Sequence, residues 1–229
     1  MIPARGVKIT EQLSSGCKPI DDLLGGGFEA GVVTQIFGEP GSGKTNLCLQ
    51  LAVECVKNGK KAIYIDTEAI SPNRFRQIAG ENAKEIAQQI IIFEPHNFEE
   101  QYAAVKEIEK LISDKVGLIL IDSATAFYRF ELDQEESGIR TRRELANQIG
   151  LIHAIARKHR IVAVMTNQVY SDMAGGVRPI GGSGIEHISK TIIQLEKTGD
   201  GKRRAKLWKH RSLPEGGTCE FIITNEGVR

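Results

Sequence analysis

The 229-residue sequence is short of cysteine, of net charge and of long apolar runs, and each shortage removes a class of protein. Its four cysteines, at 17, 48, 55 and 219, form no C-x-x-C pair, and no histidine stands near them at metal-ligand spacing. A zinc-held or disulfide-held scaffold is therefore not expected. Cys48 and Cys55 lie seven apart in one helical segment, which suits core residues. This usage predicts a reducing, cytoplasmic setting. Thirty basic against 29 acidic side chains leave a net charge of +1, so no global field marks a nucleic-acid or membrane surface. The longest apolar runs, such as Val116–Ile121, are strand-sized and far short of a membrane span. The start, M-I-P-A-R-G-V-K, lacks the apolar stretch of a signal peptide. There is no internal repeat and no low-complexity linker, and 41% hydrophobic content can build a substantial core. One domain, 1–229, is expected.

Residues 1–31 read as a lead-in that ends in Asp21-Asp22-Leu23-Leu24-Gly25-Gly26-Gly27, a short helix stopped by glycines. Strands are then expected at 32–37, 61–66, 90–93, 116–122 and 160–166, alternating with helices near 44–58, 71–79, 98–113 and 141–158. That alternation predicts an α/β fold with a mostly parallel, doubly wound sheet. After Gln168 the pattern changes. A glycine-rich loop, 175–184, leads to strand-like runs near 190–196, 204–209 and 220–224 with no helices between, expected as antiparallel additions at one sheet edge.

The chemistry starts at G-E-P-G-S-G-K-T, residues 38–45, a Walker A phosphate loop between a β-branched strand and a helix. Gly38, Gly41 and Gly43 permit backbone angles that turn successive N–H groups around a phosphate chain. The helix N-terminus adds its positive dipole end. Lys44 neutralises the β and γ phosphates, and the Thr45 hydroxyl ligates Mg²⁺. The expected nucleotide-binding set is Gly38, Glu39, Pro40, Gly41, Ser42, Gly43, Lys44, Thr45 and Asn46. Leu118-Ile119-Leu120-Ile121-Asp122 is a Walker B strand, with Asp122 holding the Mg²⁺ shell opposite Thr45. Ser123 follows where an adjacent catalytic acid would stand, so another group must orient the attacking water. Glu68, ending the run Asp66-Thr67-Glu68, reads either as general base or as an acidic first-turn residue of the next helix. Gln168, after Met165-Thr166-Asn167, reads either as a γ-phosphate sensor coupled to the loop it opens or as an amide satisfying that loop.

Together these stretches resemble the RecA-type recombinase family, in its archaeal RadA branch and that branch's shorter paralogue. The resemblance covers nearly the whole chain: S-G-C-K-P-I-D-D-L-L-G-G-G, the phosphate loop with N-L-C-L-Q-L-A, Y-I-D-T-E, L-I-L-I-D-S-A-T-A, M-T-N-Q-V, P-I-G-G-S-G-I-E-H and K-H-R-S-L-P-E-G. It implies a RecA-like ATPase core using ATP and Mg²⁺, with Glu68 catalytic and Gln168 the γ-phosphate sensor. It also implies that Arg74, in S-P-N-R-F, stacks on adenine. Three departures from the recombinases stand out. Only about thirty residues precede the core, so no N-terminal helical DNA-binding domain is expected. No F-x-x-A polymerisation segment occurs in the chain. The first DNA loop, roughly 128–140, sets Glu131, Asp133, Glu135 and Glu136 against Arg129 and Arg140, and the second, 169–183, offers only Arg178 and Tyr170. Carboxylates repel a phosphate backbone.

Those losses predict no autonomous filament. They fit a weakly hydrolysing repair accessory that works with DNA, single-stranded by preference, with RadA and with other repair proteins, as a small homo-oligomer such as a dimer. Positive charge returns between 197 and 211, where Lys197, Lys202, Arg203, Arg204, Lys206, Lys209, His210 and Arg211 surround Trp208. With Arg178 these residues from Lys202 onward form the expected DNA-binding set, Trp208 stacking on a base; a solvated edge hairpin is the alternative. A nucleotide-controlled interaction module with little turnover is the second functional expectation. A KaiC-like kinase would carry paired glutamates where Glu68 stands alone, a GTPase needs N-K-x-D, and an ABC ATPase needs L-S-G-G-Q; none is present.

Overall fold

The computed structural model describes residues 11–132, 138–171 and 176–229. Its elements in order are β1 (Gln12–Leu13), α1 (Lys18–Leu23), β2 (Phe28–Glu29), β3 (Val33–Gly38), α2 (Lys44–Lys57), β4 (Lys61–Asp66), α3 (Pro72–Ala79), α4 (Ala83–Ala87), β5 (Ile90–Phe93), α5 (Phe98–Leu111) and β6 (Val116–Asp122). The chain continues through α6 (Ala126–Leu132), α7 (Gly138–His159), β7 (Val162–Asn167), β8 (Val169–Ser171), β9 (Val177–Pro179), α8 (Gly182–Ile188), β10 (Thr191–Gly199), β11 (Lys202–Lys209), β12 (Thr218–Thr224) and β13 (Gly227–Val228). Nine strands make one sheet in the order β13-β12-β11-β10-β3-β7-β6-β4-β5.

The near-continuous apolar strands at the centre follow from burial on both faces. On one side Ile36, Ala62, Tyr64, Leu118 and Leu120 pack with Leu47, Leu51 and Val53 of α2. On the other Val33, Ile63, Ile65, Ile119 and Ile121 pack with Val105 and Ile108 of α5 and Leu145, Ile149 and Ile152 of α7. Alternate residues of each strand feed opposite layers, the pleat's period of two. Each such side chain, fully buried, contributes about 1.5–3 kcal/mol.

The central strands match the sequence expectation closely, and two parts of the C-terminal half do not. The last two expected strands join antiparallel, β11 to β10 and β12 to β11, but β10 itself runs parallel to β3, with Thr191 opposite Thr34 and Leu195 opposite Gly38. The cause is α8: the last three residues of the expected glycine loop begin a helix that carries the chain over to β10, as a parallel crossover requires. The expected first DNA loop is likewise mostly helix, α6 before and α7 after; its Asp133, Glu135 and Glu136 lie outside the described residues, as do 172–175 of the second loop.

Gln50 of α2 ties both ends of the chain together. Its Nε2 donates to the Ser15 carbonyl at 2.8 Å and the Val228 carbonyl at 3.1 Å, and its Oε1 accepts from the Val228 N–H at 2.6 Å. β13 is an edge strand, so Val228 turns these backbone groups away from the ladder and the amide takes the place of a neighbouring strand.

Candidate nucleotide site and the adjoining arginine cleft

The phosphate loop leaves β3 at the carboxyl end of the sheet, the place where open α/β sheets bind ligands. Gly38 has no room for a side chain, since a Cβ there would lie 2.2 Å from the Leu195 carbonyl oxygen and 2.8 Å from Ser42 Oγ. Gly41 (φ 76°) and Gly43 (φ 108°) adopt the left-handed backbone that wraps the loop. Lys44 is 8% exposed, and its ammonium donates to the Gly38 and Glu39 carbonyls at 2.8 and 3.2 Å. Burial lowers its pKa, while Glu68 and Asp122 work in the opposite direction. The buried Ser42 hydroxyl has no hydrogen-bond partner. Wrapped glycines, an inward cation and an orphaned hydroxyl suit a polyphosphate chain.

Asp122 is buried at the end of β6. Tyr64 donates its hydroxyl to Oδ2 at 2.9 Å and Thr166 donates to Oδ1, and Thr45 stands near enough to favour the charged carboxylate. Burial pushes the Asp122 carboxyl above its ordinary range, against the pull of those hydrogen bonds. A buried carboxylate beside a helix-start hydroxyl is an oxygen donor pair of the kind Mg²⁺ takes, and a dication there would favour the charged carboxylate.

The turn after β4 explains why the run reads Asp-Thr-Glu. Asp66 accepts from the Glu68 and Ile70 N–H groups at 3.2 and 2.7 Å, bending the chain back. Thr67 Oγ1 donates to the Ser123 carbonyl at 2.9 Å and accepts from the Ser123 N–H at 2.7 Å, locking the ends of β4 and β6 together. Glu68 is thereby presented, exposed, to a cleft of about 700 Å³ that it lines with Gly38, Pro40, Lys44, Arg129, Phe130 and Gln168. Gln168 Nε2 donates to Glu68 Oε1 at 3.1 Å, while its own backbone is pinned by Thr125 Oγ1 and by the Ile180 N–H. The structure thus brings together Lys44, Glu68 and Gln168, which lie as much as 124 positions apart in sequence (168 − 44). Arg74 sits beside α2: its guanidinium donates to Asn46 Oδ1, to Gln77 Oε1 at 2.9 Å and to the Thr224 and Asn225 carbonyls at 2.8 and 3.1 Å.

The C-terminal basic segment does not form one cationic face. Strand alternation turns Arg203, with the buried Ala205 and Leu207, toward the phosphate loop, where Nε donates to the Gly41 carbonyl at 3.2 Å. Arg204 lies opposite Glu220 at 3.8 Å. Lys209 Nζ caps the Glu186 and Ser189 carbonyls at 2.6 and 2.9 Å, Arg211 pairs with Glu29, and His210 Nδ1 accepts from the Ser212 and Leu213 N–H groups. Trp208 donates Nε1–H to Gln194 at 2.6 Å, meets Phe37 edge-on at 4.8 Å between centroids, and carries the Arg178 guanidinium 5.3 Å from its ring centre. Its ring is thus engaged within the protein, where sequence reasoning expected a base. Within the described residues, Lys202 and Lys206 make no such contact.

Sequence reasoning missed a second cleft, about 650 Å³, lined by Arg129, Arg142, Arg143, Tyr128, Tyr170 and Gly181 with the start of α8. Arg142 and Arg143 fall inside the helix expected near 141–158, and the signal that could have singled them out is the basic doublet itself. Arg129 lines both clefts. Among the described residues no group of three histidine, cysteine or acidic side chains converges as a separate metal site, and no helix is long and apolar enough to cross a membrane.

Comparison with known proteins places the chain among relatives of one family. The Rad51 family model matches residues 7–229. The DNA repair and recombination protein RadB of Methanococcoides burtonii is 72% identical over 222 residues, covering 96% of this chain and 99% of that protein. The protein of the same description from Archaeoglobus fulgidus is 44% identical over 218 residues, covering 94% and 97%. A crystal structure of the RadB recombinase aligns with a TM-score of 0.83 at 38% identity, covering 95% of this chain and 98% of that one.

Proposed function

This chain belongs to the Rad51 family, in its RadB group of DNA repair and recombination proteins, and from that premise we propose that it is a weak, DNA-modulated ATPase that assists the RadA recombinase. Members of the family are ATPases that generally use ATP with Mg²⁺. The observation that carries the reading is the convergence of Lys44, Glu68 and Gln168 on one cleft that shares Arg129 with an arginine-lined neighbour.

Loop N–H groups and Lys44 grip the β and γ phosphates, and Arg74 with Asn46 stands at the adenine end. Thr45 and Asp122 hold Mg²⁺, which supplies charge neutralisation at the phosphates. Glu68 orients a water for in-line attack on the γ-phosphorus and accepts its proton as the bond to the ADP oxygen breaks. Gln168 senses the γ-phosphate by exchanging its hydrogen bond on Glu68 for one to the nucleotide, which shifts the β8–β9 hairpin. Weak turnover is supported by contacts that compete with the nucleotide: Glu68 accepts a hydrogen bond from Gln168, and Lys44 donates to loop carbonyls.

DNA, single-stranded by preference, lies in the arginine cleft, with Arg129, Arg142 and Arg143 on phosphates and Tyr170 as the stacking aromatic. Lys202 and Lys206 provide a second, smaller patch. The protein works as a small homo-oligomer, first as a dimer, the commonest assembly. The test is ATP turnover with and without single-stranded DNA, alongside sedimentation with RadA. DNA-stimulated hydrolysis supports the ATPase reading. Nucleotide-dependent RadA binding without turnover supports the interaction module. In salt titrations, Arg142→Ala with Arg143→Ala should flatten the slope of log affinity against log salt by up to about 1.4 units, two phosphates at about 0.7 each. An unchanged slope moves the DNA site elsewhere.

A further inference from the structure

We propose that Lys197 and Arg203 form a second cationic arm of the nucleotide site, Lys197 contacting the bound polyphosphate and Arg203 holding the phosphate loop in its binding shape from outside. The inference rests on the nucleotide reading above and adds two residues to it, one of which sequence reasoning had assigned to nucleic acid.

The argument begins with register. Leu195 of β10 lies opposite Gly38 in the parallel ladder, so β10 leaves the sheet alongside the phosphate loop. Two residues on, with the pleat returning to the same face, the Lys197 ammonium comes within 3.9 Å of where a Cβ on Gly41 would stand. Across the hairpin Lys197 is paired with Arg203. The guanidinium of Arg203 spans two structures at once. Nε donates to the Gly41 carbonyl at 3.2 Å, and one terminal nitrogen donates to the Gly201 and Lys202 carbonyls at 3.0 and 3.1 Å. One planar group therefore clips the hairpin turn to the loop.

That clip has a consequence for the ligand. In a trans peptide the carbonyl and the following N–H point to opposite sides. Holding the Gly41 carbonyl toward Arg203 therefore sets the direction of the Ser42 N–H, one of the loop donors that a phosphate uses. That N–H donates to the Glu39 carbonyl at 3.1 Å, a contact internal to the loop.

Charge points the same way. Lys44 is destabilised as a cation first by burial and also by Lys197, although Glu68 and Asp122 support it. Two ammonium groups set around a loop of N–H donors are relieved by an anion of more than one charge. A nucleoside di- or triphosphate fits that demand, and adenosine does not. The Lys197 side chain is exposed, so its replacement leaves the core untouched.

The experiment measures Mg-ADP, Mg-ATP and adenosine binding by calorimetry for the wild type, Lys197→Gln, Arg203→Gln and Arg203→Lys, with melting curves taken without nucleotide. Lys197→Gln should bind ADP and ATP about tenfold more weakly, the order of one charged contact, with adenosine binding and the nucleotide-free melt unchanged. Arg203→Gln should raise the KM for ATP with kcat held, and Arg203→Lys should recover part of the loss by restoring a cationic donor. ADP affinity within twofold of wild type in Lys197→Gln, or equal losses for ADP and adenosine, overturns the role of Lys197. A fall in kcat at constant KM overturns that of Arg203. A Lys44→Ala variant separates the levels. If it abolishes binding while the new variants bind normally, this inference alone fails; if the wild type binds no nucleotide, the nucleotide reading fails and takes this one with it.

Discussion

Replacing Lys44 with alanine probes the nucleotide site at its centre, and the structure sets two separate magnitudes. In the free protein the ammonium hydrogen-bonds the Gly38 and Glu39 carbonyls. Hydrogen bonds to a charged group are worth about 1.5–3 kcal/mol. That gain is opposed by the cost of burying the ammonium, which is the leading cause of its lowered pKa. The two oppose one another, so the melting temperature without ligand should move little. With ATP bound, a unit charge pair about 4 Å apart at an effective dielectric near 20 is worth about 4 kcal/mol. At about 1.4 kcal/mol per decade, the variant should lose roughly 10²–10³ in affinity once the freed carbonyls are counted. Calorimetry and ligand-dependent melting together are the assay. Wild type at 100 times its Kd gains about 2.7 kcal/mol, or about 5–10 °C in a domain of this size. The variant at the same concentration should gain almost nothing. An unchanged Kd with a full melting shift refutes the placement of the phosphates; a variant unfolded without ligand refutes that opposition.

Four further outcomes are expected. Glu68→Gln should keep ATP bound while hydrolysis falls by roughly 10²-fold or more, and wild-type turnover would return Glu68 to a purely structural place in its turn. Gln50→Leu strips partners from Val228 and Ser15, at about 1–3 kcal/mol for a buried group left unpaired, so a loss of about 2–4 kcal/mol is expected in urea denaturation. Trp208→Ala should lower stability by about 2 kcal/mol in the absence of any nucleic acid, because the ring packs on Phe37 and supports Arg178; loss of DNA affinity with unchanged stability would contradict this. Burial lowers the His210 pKa below its ordinary 6.5, and its neutral Nδ1 accepts two backbone N–H groups. Its contribution is therefore present above about pH 6.5 and lost as pH falls through the folded-state value. The urea midpoint should drop between pH 7 and 5, and His210→Ala should reduce that drop.

What the sequence determined by itself is what depends on neighbours a few residues away. The apolar strands 61–66, 90–93 and 116–122, the helix after Lys44 and the glycine turn before it are set by local sterics and patterning, and the structure returns those three strands with the same limits. Strand ends are legible for the same reason, which is how Asp122, Glu68 and Gln168 were found. The glycines near 181–184 spoke for a loop, yet α8 forms there because Ile185 is buried beneath α7, a packing gain that outweighs local propensity. The direction of β10 follows from that helix. Arg142 and Arg143 look like ordinary helix charges until α6 and the start of α8 are brought opposite them. Arg203 and Trp208 look like a basic surface until β11 is laid two strands from the phosphate loop, turning one toward Gly41 and the other onto Phe37. Those choices belong to the tertiary structure, because residues far apart in sequence, by more than a hundred positions for Arg203 and Trp208, meet only after the chain has closed on itself.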